Sequence, residues 1–125
     1  MVTAAGNHSS STLEYPAGDN LPALISVAAT NEVDLLATFS NYGSWVKVAA
    51  PGDTIMSSVP GGGYAAWSGT SMATPLVSGE TALVLAAFPS MTGLQAAQQV
   101  FGTSTIIGGQ VSHRIDAASA LGIPH

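Results

Sequence analysis

Apolar and small residues fill one long stretch of the chain, residues 76–88, which stops at Pro89. Its apolar positions nearly encircle a helical wheel, so the pattern predicts a helix over residues 71–88 that is buried on most sides. Pro75 is compatible with the first turn of such a helix. Glu80 is the only charged residue in it, and we expect a partly exposed surface position there.

Shorter apolar runs predict strands around this helix. Residues 23–30 are mostly apolar without alternation, which is typical of a strand buried on both faces of a parallel sheet. Shorter strands are expected at residues 1–5, 45–49, 55–58 and 64–67. The last two form a hairpin through a glycine-rich connection, which lacks the lysine and the directly following helix of a phosphate-binding loop.

The remaining elements are helical and lie near the C-terminal end. A second helix is expected from Thr92 or Gly93 to about Val100, followed by a loop over residues 103–109. A short alanine-rich helix is expected over residues 117–121, with Asp116 as its N-cap.

Composition limits the partners that this surface can have. Hydrophobic residues make up 46% of the chain and charged residues only 7%, against about 25% charged in a typical domain. This shortage indicates that further protein covers part of the surface. The net charge of −5, with Lys47 and Arg114 as the only cations, argues against nucleic acid and anionic membranes. No stretch reaches the ~20 apolar residues of a membrane span, and without cysteine no disulfide or thiolate metal site is possible.

Candidate chemistry centres on Ser71, at the turn that opens the long helix. Backbone N–H groups at a helix start lack intrahelical partners, so they can hold the oxyanion formed when a serine attacks a carbonyl. A plain helix-capping serine is the alternative. Upstream, small residues at the end of the first strand lead to Asn7, which taken alone is a turn residue.

Six segments together resemble the subtilisin-like serine proteases. They occur in the order of that family and at about its spacing, and they are AAGN at residues 4–7, YPA at 15–17, ISVAA at 25–29, FS at 39–40, APG at 50–52 and GTSMATP at 69–75. The resemblance implies that residues 1–125 form a single region, the C-terminal half of the catalytic domain. That domain is a three-layer α/β fold with a mostly parallel sheet and helices on both faces.

The resemblance also implies roles for individual residues. Ser71 would be the nucleophile, and Asn7 with the Ser71 backbone N–H would form the oxyanion hole. Ala4, Ala5, Gly6 and Glu14 would line the pocket for the side chain that precedes the scissile bond. A carboxylate from Glu14 would favour lysine or arginine there, although a solvated loop glutamate is equally compatible with the sequence. No cofactor is implied.

The chain departs from the family pattern at several positions. The aspartate and histidine of the family triad are expected upstream of Met1, and His8, His113 and His125 all lack the glycine-flanked setting of the catalytic histidine. We expect His8 to be a solvated loop residue. Leu76 replaces a histidine that often follows the motif proline. Lys47 takes the place of a carboxylate in the weaker cation site of the family, so no metal is expected.

Two functions follow from these observations. The first is part of a secreted endopeptidase that cleaves polypeptides once an upstream half supplies the aspartate and histidine. The second is a truncated or split fragment that only binds or has no activity. A minimal esterase with His113 as base has no support beyond the presence of that histidine. No signal peptide opens the chain, so a secreted origin would need a leader upstream of Met1.

Overall fold

A computed structural model describes residues 1–124. The strands are β1 (Val2–Ala4), β2 (Ile25–Thr30), β3 (Val48–Pro51), β4 (Ile55–Ser58), β5 (Tyr64–Trp67), β6 (Thr105–Ile106) and β7 (His113–Arg114). The helices are α1 (Thr70–Ala87), α2 (Gly93–Gly102) and α3 (Ala117–Ala120). This order gives an α/β fold, as the sequence predicts.

Five strands form the main sheet, in the order β1-β2-β3-β7-β6. The first three pairings are parallel and only β6 runs antiparallel to β7. Strand β2 is buried along its whole length, which confirms the expected two-faced burial. Strands β4 and β5 form the expected separate antiparallel hairpin. Strand β1 lies at the edge of the described sheet and pairs only with β2.

Alternate side chains of β2 enter two different cores. Ile25, Val27 and Ala29 pack against the three helices, together with Val77 of α1. Ala28 on the other face packs against the loop that carries Val46. In residues 1–124 the helices therefore cover one face of the sheet, and loops cover the other.

The start of α1 is held close to the end of β3. The N–H of Gly69 donates to the carbonyl of Gly52 at 2.8 Å. A Cβ at Gly52 would lie 2.6 Å from the Cβ of Ala29 and 2.8 Å from the Gly69 carbonyl oxygen. Glycine at position 52 therefore permits the close approach that places the first turn of α1 beside the sheet.

Two expectations for α1 are wrong. Glu80 is only 3% exposed, because residues 114–117 fold over it. The helix is also not buried on most sides, since Leu76 and Leu83 are 41% and 51% exposed. In addition, α1 begins one residue before Ser71, so Pro75 is its sixth residue and lies beyond the first turn.

Smaller differences concern strand boundaries. The strand expected at residues 45–49 begins at Val48, because the indole N–H of Trp45 donates to the Ser11 carbonyl at 3.0 Å and keeps that residue in the preceding loop. Residues 103–109 are not all loop, since Thr105–Ile106 pairs with His113–Arg114. The start of α2 matches the prediction, with Thr92 forming a capping box with Gln95, and Asp116 caps α3 as expected. Helix α1 ends at Ala87, one residue before the predicted end.

Candidate active site

Ser71 is exposed and occupies the second position of α1. The neighbouring N–H groups are engaged, since Thr70 donates to the Asn7 Oδ1 at 2.9 Å and Met72 to the Gly69 carbonyl at 2.9 Å. The Ser71 N–H makes no hydrogen bond within residues 1–124. A hydroxyl and a free N–H thus share the positive end of a helix.

Asn7 approaches this helix start from the end of β1. Its Oδ1 accepts from the backbone N–H and from the hydroxyl of Thr70, both at 2.9 Å. The Thr70 Oγ1 in turn accepts from the N–H of Gly6 at 3.2 Å. These bonds orient the amide so that its Nδ2 stays without a partner among the described residues.

The two free donors lie near one point, beside the Met72 sulfur. The ideal Cβ position at Gly69 lies 3.5 Å from the Asn7 Nδ2 and 3.7 Å from the Ser71 backbone nitrogen. Because residue 69 is glycine, no side chain fills that point. Two unpaired N–H donors close to one space are what an oxyanion hole needs.

The predicted substrate-binding residues of β1 differ in exposure. Ala4 and Gly6 are half-buried, whereas Ala5 is fully buried. The Ala5 carbonyl accepts from the Nδ2 of Asn41 at 3.0 Å. Of these three residues, only Ala4 and Gly6 have surface at the candidate site.

Glu14 lies directly against Gly6. A Cβ at Gly6, whose φ is +108°, would lie 2.5 Å from the Glu14 Oε2. The Glu14 Oε1 is 2.6 Å from the Nδ1 of His8 and accepts from Asn41 Nδ2 at 2.7 Å. The hydrogen bonds from His8 and then from Asn41 lower the pKa of Glu14, so its carboxylate is charged at neutral pH.

Asn41 is a site residue that sequence reasoning missed. It is fully buried, and its Oδ1 accepts from the N–H groups of His8 and Ser10 at 2.9 and 3.2 Å. Its backbone N–H donates to the Gly6 carbonyl at 2.9 Å. Asn41 therefore shapes the loop that carries Asn7 and Glu14. The sequence marks it only as one polar residue of a turn-rich segment.

Neither His8 nor His113 is hydrogen-bonded to the Ser71 hydroxyl. His8 is largely exposed, as expected, and its ring pairs with Glu14. His113 lies on β7, where its Nδ1 is 3.0 Å from the Ser104 Oγ and its ring contacts Phe101. His125 lies outside the described residues. Within the described part of the chain, no side chain hydrogen-bonds the Ser71 hydroxyl.

Neither a metal cluster nor a membrane span is found in the described part of the chain. No three His, Cys, Asp or Glu side chains gather there as metal ligands. No helix among residues 1–124 combines the length and hydropathy needed to cross a bilayer.

Residues 1–118 match the subtilase family of peptidases. The match covers the Asn7 and Ser71 positions and every described strand of the main sheet. The chain belongs to the subtilase family.

The curated relatives in this family include bacterial subtilisins. Subtilisin of Bacillus pumilus is 44% identical over 112 residues, which is 86% of this chain and 40% of the relative. Subtilisin amylosacchariticus of Bacillus subtilis subsp. amylosacchariticus is 45% identical over 112 residues, or 86% of this chain and 29% of the relative. This subtilase chain thus spans less than half the length of these relatives.

Solved structures share the fold as well. A cold-adapted subtilisin-like serine proteinase superposes with a TM-score of 0.84 at 34% identity, covering 91% of this chain and 43% of that one. The prenylagaramide maturation protease PagA superposes with a TM-score of 0.88 at 27% identity, covering 97% of this chain and 49% of that one. The arrangement of this subtilase chain is therefore that of one part of a larger fold.

Proposed function

We propose that Ser71 is the nucleophile of a serine endopeptidase and that this chain carries the nucleophile and the oxyanion hole. The observation that supports this most strongly is that the Asn7 Nδ2 and the Ser71 backbone nitrogen, both without partners among the described residues, lie close together beside Gly69. The Ser71 oxygen would attack the scissile carbonyl and form an acyl-enzyme, while the two donors hold the negative oxygen. Polypeptides are the substrates that this mechanism and the subtilisin relatives suggest.

The general base would come from outside the described residues. A serine hydroxyl is a weak nucleophile without a histidine to accept its proton, and no described side chain hydrogen-bonds Ser71. We infer that an upstream half of the same catalytic domain supplies the histidine and the aspartate. By itself the chain would then be a fragment that is inactive or only binds. This alternative to an active endopeptidase is favoured because no described residue can act as the base. We further infer an extracellular site of action, from the resemblance to subtilisins.

Active-site labelling tests this proposal. We expect a fluorophosphonate probe to react slowly with the chain alone, and rapidly with a chimera in which the chain replaces the matching region of Bacillus pumilus subtilisin. Ser71→Ala should abolish labelling of the chimera. Ser78→Ala, at another exposed serine of α1, should leave it unchanged. Rapid labelling of Ser71 in the chain alone would reveal a base within the chain and contradict the fragment alternative.

We also propose that Glu14 contributes to substrate choice. Its charged carboxylate lies against Gly6, beside the strand end that would hold the substrate backbone. Opposite charges a few ångströms apart attract each other, and this attraction is weakened but not removed by water. A lysine or arginine before the scissile bond should therefore be preferred.

A peptide library tests the role of Glu14. In the chimera we expect cleavage after Lys or Arg to be at least about fivefold faster, by kcat/KM, than after Leu. Glu14→Gln should remove that preference, whereas Glu32→Gln, at an exposed glutamate in the connection after β2, should keep it. An unchanged ranking in Glu14→Gln would mean that the carboxylate points away from the substrate.

A further inference from the structure

The carboxyl of Glu80 lies at the bottom of a groove on the helical side of the sheet. The groove has a volume of about 470 Å³ and runs between α1 and residues 114–117. Although Glu80 is only 3% exposed, neither carboxylate oxygen has a hydrogen-bond partner of ordinary geometry among the described residues. Buried polar groups are nearly always hydrogen-bonded, and among the described residues only the Asp116 backbone favours the charged carboxylate by a hydrogen bond. Since a carboxylate can accept about four hydrogen bonds, this buried acid is short of donors.

Apolar side chains form the rim of this groove. Leu76 and Leu83 stand one turn before and one turn after Glu80 on α1, and they are 41% and 51% exposed. A Cβ at Gly79, between them, would meet nothing within 4 Å. The surface therefore combines a buried acid with two open apolar contacts.

The chain has no cation of its own to place there. Arg114 borders the groove, but its Nε lies 3.0 Å from Asp34 Oδ1 and its Nη1 donates to the Ile115 carbonyl. Lys47, the other cation of the chain, lines different cavities. Asp116 also faces Glu80 and adds negative charge. A second copy of the chain would have the same shortage of lysine and arginine side chains.

We propose that this groove binds a polypeptide segment that inserts a lysine or arginine between two apolar side chains, and that this segment belongs to the complementary half of the catalytic domain. The inference rests on the proposed function for its source of the segment. It adds the chemistry of the contact: a cation pairs with Glu80 while the flanking apolar groups cover Leu76 and Leu83. The share of the solved relatives that the chain matches, 43% and 49%, supports a partner of this kind.

Peptide binding followed by NMR tests the groove directly. Isotope-labelled chain carrying Ser71→Ala is titrated with acetyl-Leu-Ala-Lys-Ala-Leu-amide and with the same peptide containing norleucine in place of lysine. We expect the lysine peptide to bind about tenfold more tightly, since hydrogen bonds to charged groups are the stronger ones. Chemical-shift changes should centre on residues 76–83 and 114–117. The titration midpoint of the Glu80 carboxyl should fall with the lysine peptide only.

Matched variants separate the charge from the apolar contacts. Glu80→Gln should bind the lysine and norleucine peptides about equally, whereas Glu32→Gln should keep the preference for the lysine peptide. Leu83→Ala should weaken both peptides equally, which provides a second test if Glu80→Gln does not fold. Equal affinities in the wild type, shifts on another surface, or no binding at concentrations where the chain is monomeric would each overturn the inference. Because the titration uses the Ser71→Ala chain, a failure of the proposed catalysis would leave its outcome unchanged.

Discussion

The two polar atoms of the Asn7 amide have different roles. The Oδ1 is held by both the N–H and the hydroxyl of Thr70, at 2.9 Å each. This leaves the Nδ2 free beside the Ser71 N–H. A donor that is oriented before the reaction needs no reorganisation when negative charge develops, which is the source of its catalytic value. Thr70 is in this sense a positioning residue for Asn7.

Removing the Thr70 hydroxyl should loosen that donor. In the subtilisin chimera, Thr70→Val keeps the backbone bond to Asn7 but loses the bond from Oγ1, so we expect kcat to fall about tenfold with little change in KM. Asn7→Ala should cost about 10²–10³-fold. Initial rates of peptide hydrolysis at several substrate concentrations give kcat and KM for each variant.

A double mutant distinguishes positioning from general destabilisation. If Thr70 acts through Asn7, Thr70→Val should add almost nothing in the Asn7→Ala background. Thr81→Val is the matched control, because the Thr81 hydroxyl, about three turns beyond Thr70 on α1, bonds back to the Val77 carbonyl of the preceding turn. Full additivity of the Thr70 and Asn7 effects would contradict the positioning role.

At the scale of elements, the parts that sequence predicts well are those set by local signals. Pro89 marks the end of α1, and Thr92 with Gln95 marks the start of α2 by a capping box. Asp116 caps α3 in the same local way. These signals work because the groups that satisfy a helix end lie within a few residues of it.

The sequence does not predict features that depend on contacts between residues far apart in the chain. Glu80 is buried because residues 114–117 fold across α1, and nothing within its own helix indicates that. Asn41 bonds to residues 27 to 36 positions away. Ser71 and Asn7 are 64 positions apart, so their spacing alone does not predict that they meet, whereas the resemblance of their motifs to the subtilisin-like proteases does.

The burial of Glu80 should appear in the pH dependence of stability. Burial and then the Asp116 carboxylate raise the pKa of Glu80 from 4.5 to about 7, against smaller opposing effects of the Asp116 backbone and Arg114. The folded state therefore holds this proton more tightly than the unfolded state. Its contribution is fully present below pH 4.5 and is lost as the pH rises to about 7.

Glu80→Gln should remove this loss of stability. We expect the free energy of unfolding of the variant, relative to wild type, to rise by about 1–3 kcal/mol between pH 4.5 and pH 8. Urea denaturation of dilute protein at several pH values measures the difference. Glu32→Gln should show no such rise, and parallel pH curves for wild type and Glu80→Gln would refute the assignment.

On the scale of the whole molecule, two surfaces of the described residues have no covering element. Strand β1 has a neighbour on only one side within residues 1–124, and α1 exposes Leu76 and Leu83. An unpaired strand edge and an apolar patch both promote association. The low charged fraction of 7% offers little to prevent it.

We therefore expect the isolated chain to self-associate. Sedimentation velocity at increasing concentration should give species larger than the 12.5 kDa monomer. The double variant Leu76→Ser and Leu83→Ser should shift the distribution toward monomer, because it removes the apolar part of the surface while leaving β1 unchanged. Leu21→Ser, at a loop leucine that is 55% exposed, should have no effect. A wild-type chain that stays monomeric at all concentrations and melts cooperatively would show that neither surface needs a partner.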